Sequence, residues 1–232
     1  APAIGGASFG NAGLIASGHT MAWASPKALK IWINSSIKND PVFRMKFQLN
    51  THFIDWGIKF LGQCTRARAK KNSLAKHFLS KYSQKKLNEV AEETGIKFER
   101  NTKGLIYLYR TPKKLSDSYN EMVILRDSGQ KLEMLDKKQT IKIVPELADS
   151  KDIIAGSIFS PTDESGDSRI FTEKLMDICK EMGCNFESDV SIERIDAIGS
   201  KINRVVTNKG IYKADIYVLC LGAWSPLLVQ KS

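Results

Sequence analysis

"KADIYVLCLGAWSP", Lys213 to Pro226, is the stretch on which the fold turns. Ile216 to Leu221 is an almost unbroken apolar run, the pattern of a strand covered on both faces of a sheet. Gly222 ends the run. Ser225 is then a natural helix N-cap and Pro226 a natural first helical residue. A buried strand, a glycine at its carboxyl end and a helix start make the turn at which open α/β sheets bind ligands. Gly222 lets the backbone come close to a ligand, and the helix start offers N–H groups to phosphate or carbonyl oxygens. An ordinary βα turn has the same pattern, so the stretch argues for fold class before it argues for a site.

The neighbouring sequence extends this unit. "FTEKLMDICKEMG" reads as an amphipathic helix closed by Gly183, and Ile195 to Val206 with Gly210 to Tyr212 read as a small meander. Further back the texture changes. "IKFERNTKGLIYLYRT" alternates, breaks at Asn101 to Gly104 and alternates again, a hairpin signal. "PKKLSDSYNEMVILRDSG" is a helix with Pro112 at its start and Gly129 at its end. "KLEMLD" and "IIAGSIFSP" read as strands and "KKQTIKIVPEL" as a short helix or turn, so residues 97–162 look like an antiparallel sheet crossed by one helix. From about residue 41 to 94 the pattern is helical. Phe47, Ile54 and Leu61 recur at sevens, Leu49, Phe53, Trp56 and Phe60 fill in, a second helix runs over 72–81 with Leu74, Phe78 and Leu79 inward, and a third ends at Gly95. The expected fold is α/β (α+β): a first part over 1–40, a helical segment with an inserted antiparallel-sheet domain over 41–162, and a return to the first domain over 163–232.

Composition sets limits. The chain has 232 residues, 42% hydrophobic and 26% charged, with a net charge of +10, which suits a globular chain able to bury a core. No apolar run reaches the roughly 18 residues of a membrane span, and no signal peptide is visible. Cys64, Cys179, Cys184 and Cys220 fit no zinc pattern and read as buried reduced thiols. The first residue is Ala1, a loop is under way by Ala7, and the last residues stop where a helix should be starting, so a partial chain is expected.

Two further stretches carry chemistry. In "ASFGNAGLI", Gly10, Ala12 and Gly13 leave room for a flat or bulky ligand, while Asn11 can donate and accept hydrogen bonds and tolerates unusual backbone angles. A surface turn is the plainer reading, although Leu14 and Ile15 would pull such a turn toward the core. In "SPTDESGDSRIFTEKL", Asp163, Glu164 and Asp167 crowd a turn before a helix that Asp167 or Ser168 could cap. Two carboxylates could suit calcium, but the further ligands of an EF-hand are missing, and no metal is expected. Arg66 to Lys86, "RARAKKNSLAKHFLSKYSQKK", is rich in lysine and arginine and has no acid. That is the pattern of a solvated helix face or of an anionic-membrane contact. No aromatic platform or groove-reading motif accompanies it, so nucleic acid is not an expected partner. His52 and His77 read as surface or packing residues.

The stretches at Ser8 to Pro26, Ser160 to Leu175 and Lys213 to Pro226, in this order, resemble the glycine oxidase/D-amino acid oxidase superfamily of flavoproteins, and within it the bacterial D-amino acid dehydrogenases. The resemblance spans nearly the whole chain. It implies a Rossmann-like FAD-binding domain with an inserted substrate domain. It also implies FAD as cofactor and oxidation of an amino acid at the Cα–N bond, with hydride passing to the flavin and electrons onward to a quinone or respiratory carrier. The product imine would hydrolyse to a 2-oxo acid and ammonia. By position, Ser8, Asn11, Ala12, Gly13 and Leu14 would line the flavin, Val190 would meet its adenine end through the backbone, and Gly222, Ala223 and Trp224 would form a late turn beside it. His19, next to the first segment, is a candidate for the substrate side. Tyr107 and Tyr109, on one face of the inserted sheet, either border the substrate or pack the core. A sister enzyme acting on glycine, sarcosine or hydroxyproline would share all of these motifs, and a non-catalytic relative could keep the fold without the flavin. The family's G-x-G-x-x-G fingerprint and its ribose-binding acid are absent from the 232 residues, so this chain alone is expected to bind FAD poorly and to represent an inner portion of the family's full length. The implied location is cytoplasmic, with peripheral contact at the inner face of a bacterial plasma membrane through Arg66 to Lys86.

Overall fold

A computed structural model describes residues 6–28, 31 and 51–229. They fall into two bodies, one of Asn11–Phe171 and one of Ala1–Gly10 with Thr172–Ser232.

The larger body is organised around a short strand that is covered on nearly all sides. Strands β1 (Leu14–Ile15), β2 (Leu105–Tyr109), β3 (Glu133–Asp136), β4 (Gly156–Ser160) and β5 (Glu164–Ser165) form two antiparallel groups. The main sheet has the order β2-β4-β3, so the last of its strands in sequence lies in the middle. Ile158 faces Tyr107 on one side and Met134 on the other. Helix α3 (Pro112–Arg126) crosses this sheet. Thr111 caps it, accepting from the Lys114 N–H at 3.3 Å, and Pro112 takes the first turn, where its missing N–H costs nothing. Leu115, Met122 and Leu125 share one face of α3 and meet Leu132 and Ile158 in the core, with Tyr107, Tyr109 and Tyr119 packed around them. Leu125 and Ile158 are fully buried, and each contributes about 2 kcal/mol by removal of apolar surface from water. Gly156 at the head of β4 has φ +155°, and a Cβ there would lie 2.4 Å from the Leu135 carbonyl oxygen, so the tight β3–β4 approach requires glycine. Helix α4 (Lys137–Ile143) follows β3 and begins with a reciprocal capping box between Asp136 and Gln139.

Two helices precede the sheet: α1 (Thr51–Gln63) and α2 (Arg66–Thr94). The second is a single helix of 29 residues, where the sequence pattern suggested two. No glycine or proline interrupts residues 66–94, so nothing local ends the helix until Gly95 enters the left-handed region at φ +67°. Its inward face is also not the expected one. Phe78 and Leu79 are exposed, while Ser73 and His77, one turn apart, are buried, because the helix faces a polar network rather than the core. Residues 41–50, including Phe47 and Leu49, lie outside the described residues. The hairpin expected over 96–111 does not form. Residues 96–100 run as an irregular segment with Ile96 and Phe98 buried, and β2 pairs with β4, some fifty residues downstream. Alternation gave the strand but not its partner.

Helix α5 (Ser168–Glu181) begins at Asp167, whose side chain accepts from the Ile170 N–H at 2.8 Å, and runs into the smaller body. There β6 (Ile192–Ile198), β7 (Lys201–Thr207) and β8 (Gly210–Tyr212) make the expected meander, turning at Gly199 with φ +61°. The short helix α6 (Ser225–Val229) packs on β6. Residues 214–221 correct the sequence reading. They form no strand, and Ile216 and Val218 are each 81% exposed. A doubly covered strand takes its hydrogen bonds and its cover from neighbours, and no described strand lies alongside this one. Tyr217 ties the segment to β7, its hydroxyl donating to the Asn203 carbonyl at 3.3 Å. The thiols also differ from expectation. All four are free, but only Cys64 is buried, and Cys184 and Cys220 are exposed. Among the described residues no helix is long and apolar enough to cross a membrane.

Candidate functional site

Two segments far apart in sequence, residues 13–20 and 160–167, are clasped together in the larger body. The clasp begins at Gly13, with φ +62°, whose N–H donates to Asn11 Oδ1 at 2.7 Å. The Gly13 carbonyl accepts from Gly166 at 2.9 Å. A Cβ at Gly13 would sit 2.1 Å from the Gly166 carbonyl oxygen, so the crossing of the two backbones accounts for this glycine. Strand β1 then pairs with β5, Leu14 opposite Ser165 and Ile15 opposite Glu164. Asn101 bridges Ser165 from the other side, with backbone hydrogen bonds of 2.8 and 3.0 Å.

Beyond the strand pair lies Asp163, fully buried. Its carboxylate accepts from the Gly18 N–H at 3.0 Å, the Ser17 hydroxyl at 3.3 Å, the Tyr107 hydroxyl at 3.0 Å and Gln130 Nε2 at 3.2 Å. None of these donors carries charge. Gln130 is itself a hub. Its Oε1 accepts from Ser17 at 2.9 Å, and its Nε2 also reaches Ser160 and Thr162, each at 3.0 Å. The cluster therefore satisfies a buried carboxylate with neutral dipoles alone, the condition under which burying such a group is tolerated. Burial of Tyr107, then the nearby charge of Asp163 and the hydrogen bond to it, hold the phenol well above its ordinary range. It serves as a donor to Asp163 and not as a base.

Helix α2 carries both segments along one polar stripe. Ser73 accepts from the Ala22 N–H at 2.8 Å, Lys76 donates to the Met21 carbonyl at 3.2 Å, and His77 Nδ1 lies 3.0 Å from the Ser17 carbonyl. A carbonyl can only accept, so His77 Nδ1 is the donor in this contact. Its buried Nε2 has no partner among the described residues. Two turns further on, Gln84 donates to the Thr162 carbonyl at 2.8 Å and to Glu164 at 2.9 Å, and Arg100 Nε meets Glu164 at 2.5 Å while bonding Asn88 at 2.7 Å. Burial pushes the Glu164 carboxyl up, but the hydrogen bonds from Arg100 and Gln84 and the Arg100 charge outweigh it and hold the group below its ordinary value.

The residues singled out from sequence separate into groups. Asn11, Ala12, Gly13 and Leu14 are contiguous at the mouth of the clasp, with Asn11, Ala12 and Leu14 exposed. His19 is exposed and sets its ring edge-on to Tyr107, centroids 5.4 Å apart. Tyr109 packs against the core. In the smaller body, Ser8 ends a short turn of helix and Val190 precedes β6. Gly222 has φ +55°, Ala223 lies in the turn Gly222–Trp224, and Trp224 is 71% exposed. Among the described residues no cluster suits a metal ion. Sequence reasoning weighed Asp163 as a metal ligand, with Asp167 or Ser168 as the helix cap, and missed Ser17, Gln130, Ser73, Gln84 and Arg100. The available signal was the polar spacing Ser73, His77, Gln84, Asn88 along a helix otherwise dominated by lysine. The face at Asn11 to Leu14 is uncharged, with small residues at Ala12 and Gly13 and a half-exposed Leu14, and is pinned from behind. At Gly10 a Cβ would meet nothing within 4 Å among the described residues, so packing against them does not demand glycine there. Such a surface fits the close approach of a flat ring system.

A family model described as FAD dependent oxidoreductase matches residues 1–232. The chain is 34% identical over 227 residues to D-amino acid dehydrogenase 2 of Mesorhizobium japonicum, covering 97% of this chain and 55% of that protein. It is 33% identical over 227 residues to D-amino acid dehydrogenase of Allorhizobium ampelinum, covering 96% and 53%. It thus spans about half the length of the curated relatives it matches. Among solved structures, glycine oxidase from Geobacillus kaustophilus superposes with a TM-score of 0.56 at 25% identity, over 65% of this chain and 40% of that one. L-proline dehydrogenase from P. horikoshii gives 0.51 at 23% identity, over 61% and 37%, a likeness of fold. The mixed helix-and-strand architecture, the clasped small-residue segment and a family match along the whole sequence lead to one conclusion: the chain belongs to the FAD dependent oxidoreductase family.

Proposed function

We propose that the protein to which this chain belongs oxidises D-amino acids to 2-oxo acids and ammonia, passing electrons to a quinone or respiratory acceptor. The observation that carries the reading is the likeness to D-amino acid dehydrogenases along 97% of the chain. Bound FAD would supply the acceptor for the Cα hydride, and the substrate amine would lose a proton as its imine forms and is hydrolysed. In this reading Asn11, Ala12, Gly13 and Leu14 present an uncharged backbone to the cofactor, with Ser8, Val190, Gly222, Ala223 and Trp224 as its further contacts. Residues 1–40 and 163–232 are two parts of the flavin domain, and 41–162 contribute the substrate side. His19, an exposed imidazole of the clasp set edge-on to Tyr107, faces substrate, and Tyr107 and Tyr109 belong to the sheet face that borders it. The basic stretch from Arg66 to Lys86 approaches an anionic membrane surface, where the acceptor resides.

The full-length protein tests this in a panel of D- and L-amino acids, glycine, sarcosine and hydroxyproline with a dye acceptor, alongside anaerobic bleaching of flavin absorbance. Turnover confined to D-amino acids supports the reading; turnover of L-amino acids alone, or no bleaching by any member, defeats it. A second reading, oxidation of glycine or a related amine, is favoured by the superposition on glycine oxidase, and the same panel separates the two.

A further inference from the structure

The carboxyl end of α5 brings two cysteines together. The helix stops at Glu181, and Gly183 follows in the left-handed region at φ +88°. The Gly183 N–H donates to the Lys180 carbonyl at 2.9 Å, and the Cys184 N–H donates to the Cys179 carbonyl at 2.9 Å. This pair of bonds is the Schellman motif, in which the residue after the glycine commonly packs its side chain against the residue five positions before it. Here both residues are cysteine. Standard bond lengths along the Cys184–Cys179 hydrogen bond hold the two Cα atoms within about 6.5 Å, inside the span of about 4.4–6.8 Å that a disulfide bridges. Both thiols are free, with Cys184 exposed and Cys179 half-buried. Cysteine is ordinarily among the most buried residues, so packing does not account for Cys184. Cys64 and Cys220 lie far along the sequence from these two and from each other, so no local backbone pairs them. Among the described residues no third group joins Cys179 and Cys184 to hold a metal ion. The chemistry open to the pair is thiol–disulfide exchange.

We propose that Cys179 and Cys184 are a reversible redox pair, closed to a disulfide by exchange with a small-molecule disulfide such as oxidised glutathione. The thiolate of the exposed Cys184 attacks one sulfur of that disulfide, breaks its S–S bond and releases one glutathione thiol. The Cys179 thiolate then attacks the Cys184 sulfur of the mixed disulfide, forms the Cys179–Cys184 bond and releases the second. The two electrons and two protons lost by the cysteines end on the two released thiols, and no other oxidant is needed. A solvent-exposed disulfide is the labile kind, which a dithiol reductant reopens. Closure fastens residue 184, where the segment leading to β6 begins, to the last turn of α5. The inference stands on the geometry of this turn and is independent of which amino acid the protein oxidises.

The test incubates the full-length protein with oxidised glutathione, quenches with acid, alkylates the remaining thiols and digests with trypsin without reduction. Cleavage after Lys174, Lys180 and Arg194 leaves the two cysteines on separate peptides, 175–180 and 181–194. The expected result in the mass spectrum is loss of both alkylated peptides and gain of one linked species, lighter than the two reduced peptides together by two hydrogens, which dithiothreitol splits. Cys179→Ser should instead keep one glutathione on Cys184, the adduct through which the wild type passes. Cys184→Ser, at an exposed position, should give no linked species. Glutathione retained on Cys184 of the wild type overturns the proposal, since it would mean that Cys179 cannot reach that sulfur. Both peptides still alkylated, or Cys184 linked to Cys220 or to any other cysteine, overturns it as well.

Discussion

Replacing Asp163 with alanine should cost about 3 kcal/mol, and the figure can be built from its neighbours. Four groups donate to the carboxylate, but two of them have other partners: the Ser17 hydroxyl keeps Gln130 Oε1 at 2.9 Å, and Gln130 Nε2 keeps Ser160 and Thr162 at 3.0 Å. The other two, the buried Gly18 N–H and the partly buried Tyr107 hydroxyl, lose the acceptors named for them. A fully buried orphan donor costs about 2 kcal/mol and one that water can partly reach about 1 kcal/mol. Relief of the buried charge keeps the sum from growing further. With a urea dependence of about 2 kcal/mol per molar, the midpoint falls by about 1.5 M. Asp163→Asn retains one acceptor oxygen and should cost about half as much. Tyr107→Phe made on top of Asp163→Ala should recover about 1 kcal/mol relative to additivity, because the orphaned hydroxyl is gone. Urea unfolding followed by circular dichroism measures all five proteins, the single Tyr107→Phe variant included. An Asp163→Ala variant within about 0.5 kcal/mol of the wild type would refute the argument, since it would mean the clasp does not depend on this carboxylate.

Glu164, held below its ordinary value against its own burial by Arg100 and Gln84, contributes stability that is complete above the usual carboxylate range and is lost as pH falls through its lowered folded value. Arg100→Met should therefore flatten the acid limb of a stability–pH curve, and an unchanged limb would count against the pairing. Tyr107 ionises above the normal phenol range, so its contribution is lost as pH rises beyond about 10; ultraviolet titration should find one tyrosine that resists ionisation until the protein unfolds, and Tyr107→Phe should abolish that resistant fraction. Gly13→Ala places a Cβ against the Gly166 carbonyl at a left-handed φ and should cost at least about 2 kcal/mol, read as loss of amide-exchange protection at Gly166; retained protection would show that the backbones can separate at little cost.

Much of the fold could be read locally. Thr111 and Pro112 start α3, Asp167 starts α5, Gly95 ends α2 and Gly199 turns the meander, and each acts on residues within one turn of itself. The clasp could not be read this way. Ser17 and Asp163 are 146 positions apart and Ser17 and Gln130 113 apart, and nothing in either segment names the other. The resemblance drew attention to the first stretch for its place beside the cofactor and to the second as the return to the flavin domain, whereas packing joins Gly13 to Gly166 and Asp163 to Ser17 and Gly18. Residues 214–221 illustrate the opposite limit. Their composition signals a strand, but strand formation depends on neighbours that composition does not supply. Helix α2 misled for a third reason: its lysines obscured the polar stripe that faces inward.

That separation of 146 residues also sets a schedule for synthesis. When Ser17, Gly18 and Gly13 leave the ribosome, the chain that will bind them has not been made. At about 5–20 residues per second, Asp163 follows some 7–30 s later. Until then the small-residue segment has no partner strand, and β2 likewise waits for β4. The nascent chain can form α2 and α3 early, since the backbone hydrogen bonds of a helix are local, but it cannot close the clasp until residues 156–167 have emerged. Codons that slow translation just after this point would lengthen the time available for closure, and a chaperone that shields short unpaired strands would matter most in the interval before it.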